Sequence, residues 1–204
     1  DGSVKREIIP LAIPDELKAR DQWVGWKLER RPGQEKPTKP PYQVHEPSSK
    51  ASSTDPTTWA TFRDAVDAVD NGSGLDGFGF VFTKHDPFCG IDLDHCIDDD
   101  GMVLPFAQAL LARFPGAYAE ITPSGRGLHL IFKAVLPKEG RGLRKGQVEI
   151  YDRGRYFTVT GQALPSSGDV IPDHQEALDR FIEEYFTRQE TRPSSDHVTL
   201  TDEE

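Results

Sequence analysis

Short apolar strands, set in pairs around brief turns, constrain this chain more than any other feature. Gly77-Phe78-Gly79-Phe80-Val81-Phe82 and Phe88-Cys89-Gly90-Ile91-Asp92-Leu93-Asp94 are separated by Thr83-Lys84-His85-Asp86-Pro87, a connection of hairpin-loop length. Tyr118-Ala119-Glu120-Ile121-Thr122 and Leu128-His129-Leu130-Ile131-Phe132 flank Pro123-Ser124-Gly125-Arg126-Gly127. Residues 147–152 and 155–160 form a third such pair, turned at Arg153-Gly154. Connections this short join antiparallel strands, because parallel ones need a crossover of a dozen residues or more. Three adjacent strand pairs are therefore expected, preceded by a strand over residues 22–29. Helices are expected at residues 13–18, from the Ser53-Thr54-Asp55-Pro56 start to about Asp70, at residues 105–114 and at residues 173–186. In the second, Trp59, Phe62, Ala65, Val66 and Val69 supply the apolar face. The fold class is α+β, with a mainly antiparallel sheet.

A chain of 204 residues buries one good core, or one domain with a small lobe. Residues 1–12 read as an N-terminal extension, 13–186 as the domain, and 187–204 as a polar linker or tail without apolar periodicity. No stretch approaches the roughly 20 apolar residues of a membrane span, and the first residues lack a secretory leader pattern, so work in the cytoplasm is expected. The two cysteines, Cys89 and Cys96, have no zinc-site spacing and read as buried thiols beside a strand.

A net charge of −10 argues against a protein that coats nucleic acid indiscriminately. The charge is uneven, however. Lys133, Lys138, Arg141, Arg144, Lys145, Arg153 and Arg155 face only three acids in the same stretch, and residues 27–50 are also basic. Local grip on a polyanion is compatible with that distribution.

Three motifs carry chemistry. In Ile91-Asp92-Leu93-Asp94, strand alternation aims both carboxylates at one face while Ile91 and Leu93 turn inward. Two close carboxylates repel unless a cation lies between them, and Mg²⁺ or Mn²⁺ takes such oxygens. In Thr122-Pro123-Ser124-Gly125-Arg126-Gly127-Leu128-His129, glycines 125 and 127 let backbone approach a ligand, and the loop offers N–H groups to a phosphate. His129 stands just inside the next strand, placed to donate to a triphosphate oxygen. In Gln147-Val148-Glu149-Ile150-Tyr151-Asp152, alternation leaves Glu149 opposite the inward Val148 and Ile150, available as a third metal carboxylate. Asp152 and Arg155 flank the turn and are expected to pair with each other. Each motif alone also suits an ordinary strand or hairpin; together they are the parts of nucleotidyl transfer, in which two metals activate a hydroxyl and hold a triphosphate.

The order Asp-x-Asp, Ser-Gly-x-Gly-x-His, then hydrophobic-Glu resembles the three motifs of the archaeo-eukaryotic primase superfamily. Glu149-Ile150-Tyr151-Asp152 with Arg155-Tyr156-Phe157-Thr158-Val159-Thr160-Gly161 is similar to its phage and plasmid primase-polymerase branch. The likeness extends upstream to Gln22-Trp23-Val24-Gly25-Trp26, Lys36-Pro37-Thr38-Lys39-Pro40-Pro41-Tyr42 and Ala51-Ser52-Ser53-Thr54-Asp55-Pro56, covering roughly residues 13–186. It implies a two-lobed core with an RRM-like sheet bearing the carboxylates. It implies that Asp92, Asp94 and Glu149 hold the metals and that Ser124 and His129 bind phosphates of the incoming nucleotide. Asp152 also follows a hydrophobic residue, but the spacing from Glu149 to Tyr156-Phe157 fits the family better. Gly125 and Gly127 belong to the same nucleotide loop, and Lys39, Arg126 and Arg155 are phosphate candidates by charge and place. The implied partners are a single-stranded DNA template with its primer, dNTP or NTP, and a C-terminal helical or helicase domain absent from this chain.

Two other functions use similar parts. A metal-dependent nuclease also clusters acids, but leaves the stretch from Ser124 to His129 without a role. A non-catalytic nucleic-acid-binding module would not need all three acids. Trp23, Trp26, Tyr42 and Phe78 are candidates for base stacking, although aromatics at strand positions more often pack the core.

Overall fold

The computed structural model describes residues 7–33, 36–137 and 142–187. Residues 1–6 of the expected extension, the tail from 188 onward, and Lys138 and Arg141 of the basic stretch lie outside these. Helices are α1 (Asp15–Lys18), α2 (Phe62–Asp70), α3 (Pro105–Leu111) and α4 (Gln175–Ile182). Strands are β1 (Trp23–Trp26), β2 (Pro41–Tyr42), β3 (Gly77–Phe82), β4 (Phe88–Leu93), β5 (Tyr118–Ile121), β6 (Leu128–Lys133), β7 (Leu143–Lys145), β8 (Val148–Tyr151) and β9 (Arg155–Val159).

These strands form two antiparallel sheets, ordered β2-β1-β3-β9 and β5-β6-β4-β8-β7. The fold is α+β as expected, but only one of the three expected pairs is a hairpin, β5 with β6. β3 pairs with β1 and β9, whereas β4 pairs with β6 and β8, so β3 and β4 lie in different sheets. The 83–87 connection is a corner, not a hairpin. The Asp86 carboxylate accepts from the Thr83 N–H at 2.9 Å, the Phe88 N–H at 2.9 Å and the Gln22 amide at 2.8 Å, which locks the bend. β8 and β9 also part company: the Gly154 N–H donates to Phe82 O at 2.9 Å, leading β9 alongside β3.

Alternation then gives each face of the five-stranded sheet its own neighbour. Ile91, Leu93, Leu128, Leu130, Phe132, Val148 and Ile150 point to one side, where Ala107 and Leu110 of α3 and Leu178 and Phe181 of α4 cover them. From the other side Phe88, Tyr118 and Ile131 join Phe78, Phe80, Phe82 and Phe157 of the four-stranded sheet in a second core. Gly90 makes the approach of the two sheets possible. A Cβ there would stand 2.5 Å from the Phe157 ring and 2.7 Å from that of Phe82. Trp23, fully buried, meets Phe62, Phe78 and Phe80 edge-on, so β1 is tied to α2 and β3 by one aromatic cluster. Burying each such ring contributes roughly 1.5–3 kcal/mol.

The second helix starts later than its sequence suggests. Asp55 caps only a short 3₁₀ turn, Pro56–Thr58, and Trp59 is extended. Backbone bonds between Trp23 and Ala60, at 2.8 and 3.1 Å, hold the chain extended at this point, and the Trp59 indole donates to Ser52 O. Thr61 then caps α2 by accepting from the Asp64 N–H at 3.1 Å, a bond worth about 1 kcal/mol. Cys89 and Cys96 are free and buried, and burial raises both thiol pKa values, that of Cys96 to about 11. Trp23, Trp26 and Phe78 are core residues, while half-buried Tyr42 lies under the ammonium groups of Lys27 and Lys50.

Candidate active site

On the face of the five-stranded sheet turned away from α3 and α4, one row of residues crosses all five strands. Glu120 on β5 is register partner to His129 on β6, His129 to Asp92 on β4, Asp92 to Glu149 on β8, and Glu149 to Arg144 on β7. Register partners in an antiparallel ladder share a face. Five side chains that can carry charge are therefore set in line by strand pairing alone.

A cleft of about 500 Å³ opens over the middle of this row. Asp92, Asp94, His129, Thr122 and Ser124 line it, together with Arg31, Thr38, Lys39 and Arg155. Asp94 follows the end of β4 and stays in line because its N–H donates to Gln147 O at 3.0 Å. Lys39 is positioned through its own carbonyl, which accepts from the Tyr156 hydroxyl of β9. Burial lowers the Lys39 pKa, and the carboxylates of Asp92 and Asp94 offset part of that.

His129 is 5% exposed and stacks on Phe157 with ring centroids 4.5 Å apart. Its Nδ1 donates to Thr158 O at 2.9 Å, so Nε2 is left facing Asp92 Oδ1 at 3.5 Å. Glu120 Oε1 lies 3.7 Å from Nδ1. Burial would lower the imidazole pKa, but the two flanking carboxylates outweigh it and push it up to about 9. Burial likewise would raise Asp92, yet His129, Arg155 and Lys39 hold it below the ordinary carboxylate value. Sequence reasoning missed Glu120. Its carboxylate is buried and accepts from the Tyr118 hydroxyl at 2.6 Å and from the N–H groups of Thr160 and Gly161 at 2.9–3.1 Å. Its signal was its place: register partner of His129 across a turn already recognised. Arg31 was also missed, although it stands in the basic stretch of residues 27–50.

The remaining expected residues divide. Ser124 lines the cleft, its hydroxyl 3.1 Å from that of Thr122. Gly125 has φ +74°, which turns the loop. Gly127 also serves the fold: a Cβ there would stand 2.7 Å from Leu93 O, so its missing side chain admits β4. Arg126 is exposed, pairs with Asp99 and is not among the residues lining the cleft. Glu149 faces Asp92 in register, but its oxygens are taken by Arg144 Nε at 2.9 Å and the Tyr151 hydroxyl at 2.6 Å, with Arg155 3.8 Å away. Asp152 pairs with Arg153 at 3.0 Å, not with Arg155, and accepts from the Leu136 N–H at 3.0 Å.

Two carboxylates on an open wall are a donor set that suits a hard divalent cation, which completes its shell with water and phosphate oxygens. Among the described residues no group of three or more His, Cys, Asp or Glu is assembled to hold a metal. Among the described residues no helix is long and apolar enough to cross a membrane.

No protein-family model matches the chain. A DNA primase-polymerase from Nitratiruptor phage NrS-1 is 36% identical to it over 188 residues, which is 90% of this chain and 25% of the phage protein. The chain thus spans about a quarter of the length of that relative. Over nine tenths of its length the chain is thus similar to a segment of a phage primase-polymerase.

Proposed function

We propose that the chain is the catalytic core of a DNA primase-polymerase, joining nucleotides on a DNA template, and that it falls within the archaeo-eukaryotic primase superfamily. The observation that carries this reading is the make-up of the cleft, in which Asp92 and Asp94 stand together with the cations Lys39, Arg31 and Arg155. An anionic triphosphate needs the cations, and a reacting 3′-hydroxyl needs the carboxylates. The likeness to a phage primase-polymerase supports it. On this reading residues 13–186 are the core, its two lobes built on the two sheets, the five-stranded one RRM-like.

Mg²⁺ or Mn²⁺ would be held by Asp92 and Asp94, with Glu149 as third ligand; when bound, such ions lower the pKa of the attacking hydroxyl and neutralise the leaving pyrophosphate. The chain's own groups do the rest. Protonated His129, fixed through Nδ1 by Thr158 O, presents Nε2–H to a phosphate oxygen. Lys39 and Arg155 orient the triphosphate, and the Ser124 hydroxyl donates to one of its oxygens. Partners are template and primer DNA, dNTP or NTP, and a helical or helicase domain elsewhere in the full protein. The compartment is the cytoplasm, where these substrates are.

The test is extension of a labelled primer on a single-stranded template with dNTPs and Mg²⁺ or Mn²⁺. Metal-dependent extension is expected, lost by about a hundred-fold or more in Asp92→Ala/Asp94→Ala. Equal activity in that variant would defeat the assignment, and nucleotide-independent cleavage of the strand would make the protein a nuclease instead.

A further inference from the structure

Beside the first cleft lies a second, of about 680 Å³, that the chemistry above does not use. The two share a wall made by Ser53, Gly154 and Arg155, closed by a 2.9 Å hydrogen bond from the Ser53 hydroxyl to Gly154 O. The two clefts therefore meet at these three residues.

Its lining is unlike that of the first. Half-buried Trp59 and Tyr151 provide aromatic surface, and Lys84 and Arg155 provide positive charge beside Arg153, which Asp152 pairs. No aspartate or glutamate is among the described residues that line it, although the chain carries 34 acids against 24 Lys and Arg. Arg153 is fixed by bonds from both Nε and a terminal nitrogen to Asp152, each 3.0 Å, and the Arg155 guanidinium lies over the Tyr151 ring, 4.9 Å from its centroid. Exposed Lys84 and His85 stand on the locked corner between β3 and β4 and line the cleft. Without carboxylates the cleft offers a divalent metal nothing. Aromatic surface beside cations is instead the combination that binds a strand of stacked bases joined by phosphates, without regard to sequence.

We propose that this second cleft seats the unpaired template strand, its bases against Trp59 and Tyr151 and its phosphates toward Lys84 and Arg153, so that the strand enters the reacting centre past the Ser53–Gly154 wall. This rests on the template-directed reading above. The incoming nucleotide is confined to the first cleft and the strand that instructs it to the second, and Arg155, on the shared wall, touches both.

The experiment uses the 204-residue chain and primer–template DNA carrying 5-iodouracil at the first unpaired template positions. Ultraviolet irradiation and peptide mass spectrometry are expected to map adducts to the peptides bearing Trp59 or His85. Lys84→Glu is expected to raise the Kd for the primer–template about ten-fold, while the affinity for a fluorescent dNTP with Mn²⁺ stays unchanged. Adducts confined to other faces, or a Kd for DNA unmoved by Lys84→Glu, would overturn the template cleft while leaving primer extension, and with it the proposed function, intact. A wild-type chain that neither binds nor extends the DNA would overturn both.

Discussion

Asp92 and Glu149 are register partners across the β4–β8 ladder, yet only Asp92 opens on the cleft, because Glu149 is held by Arg144 and Tyr151. Along the row from Glu120 to Arg144 acids and bases alternate except at this step, where two acids meet. Like charges directly opposite in a ladder are unfavourable. Arg144, from the edge strand β7, relieves that repulsion in the free chain. A divalent cation between the carboxylates would relieve it differently, and the two solutions compete for Glu149.

That competition gives opposite expectations for two neighbours. Arg144→Ala should lower the Mn²⁺ concentration for half-maximal primer extension by a factor of about five, since the Arg144 end of the pair is exposed and the pair modest in strength although Glu149 is buried. Glu149→Gln should raise that concentration. A metal titration of activity for each variant checks both, and movement in the same direction would remove Glu149 from the site.

His129 carries a pH signature. Its folded pKa, about 9, lies above the unfolded value of 6.5. The stabilisation is therefore fully present below about pH 6.5 and is lost as pH rises through about 9. In chelator-treated protein the Tm should fall across that window, and His129→Gln should flatten the fall. Thermal melts at half-unit intervals of pH are the measurement.

Much of the site was legible because it rests on local rules. Strand alternation placed Asp92 and Asp94 together, and a short glycine turn joined β5 to β6 and brought His129 to the cleft wall. What turn length could not reveal was which strands pair. The 83–87 segment has the length of a hairpin loop, but Asp86 gathers donors from Thr83, Phe88 and Gln22 into a corner that sends β4 to another sheet. Gln22 is 64 residues away from Asp86, beyond the reach of any local pattern. The engagement of Glu149 was hidden for a different reason: Arg144 is near it in sequence, across the Gly146-Gln147 turn, but the β7–β8 hairpin was not among the expected strand pairs.

Gly90 links packing to the site. Gly90→Ala would drive a methyl group into the Phe157 ring, which also supports His129. The expected cost is about 1–3 kcal/mol of stability, as for other overpacked cores. Chemical denaturation reads the loss, and the imidazole resonances of His129 should shift in the same variant because its stacking partner has moved. A stability loss without that shift would show that Phe82 yields instead.

Lys39 is the cation that the cleft keeps for itself. Burial disfavours its charge, and Asp92 and Asp94 restore part of what burial removes, so in the free chain the ammonium serves as their counterion. A divalent metal would take over that duty and free Lys39 for the triphosphate. Lys39→Gln should consequently act in two directions at once. Without the competing ammonium, Mn²⁺ should bind more tightly in the absence of nucleotide, read by calorimetry or by quenching of the cleft's aromatic fluorescence. The KM for dNTP should rise about ten-fold, because one charge-assisted phosphate contact is gone. Tighter metal with an unchanged KM would confine Lys39 to the counterion role, and weaker metal would mean that Asp92 and Asp94 depend on Lys39 to stay in line.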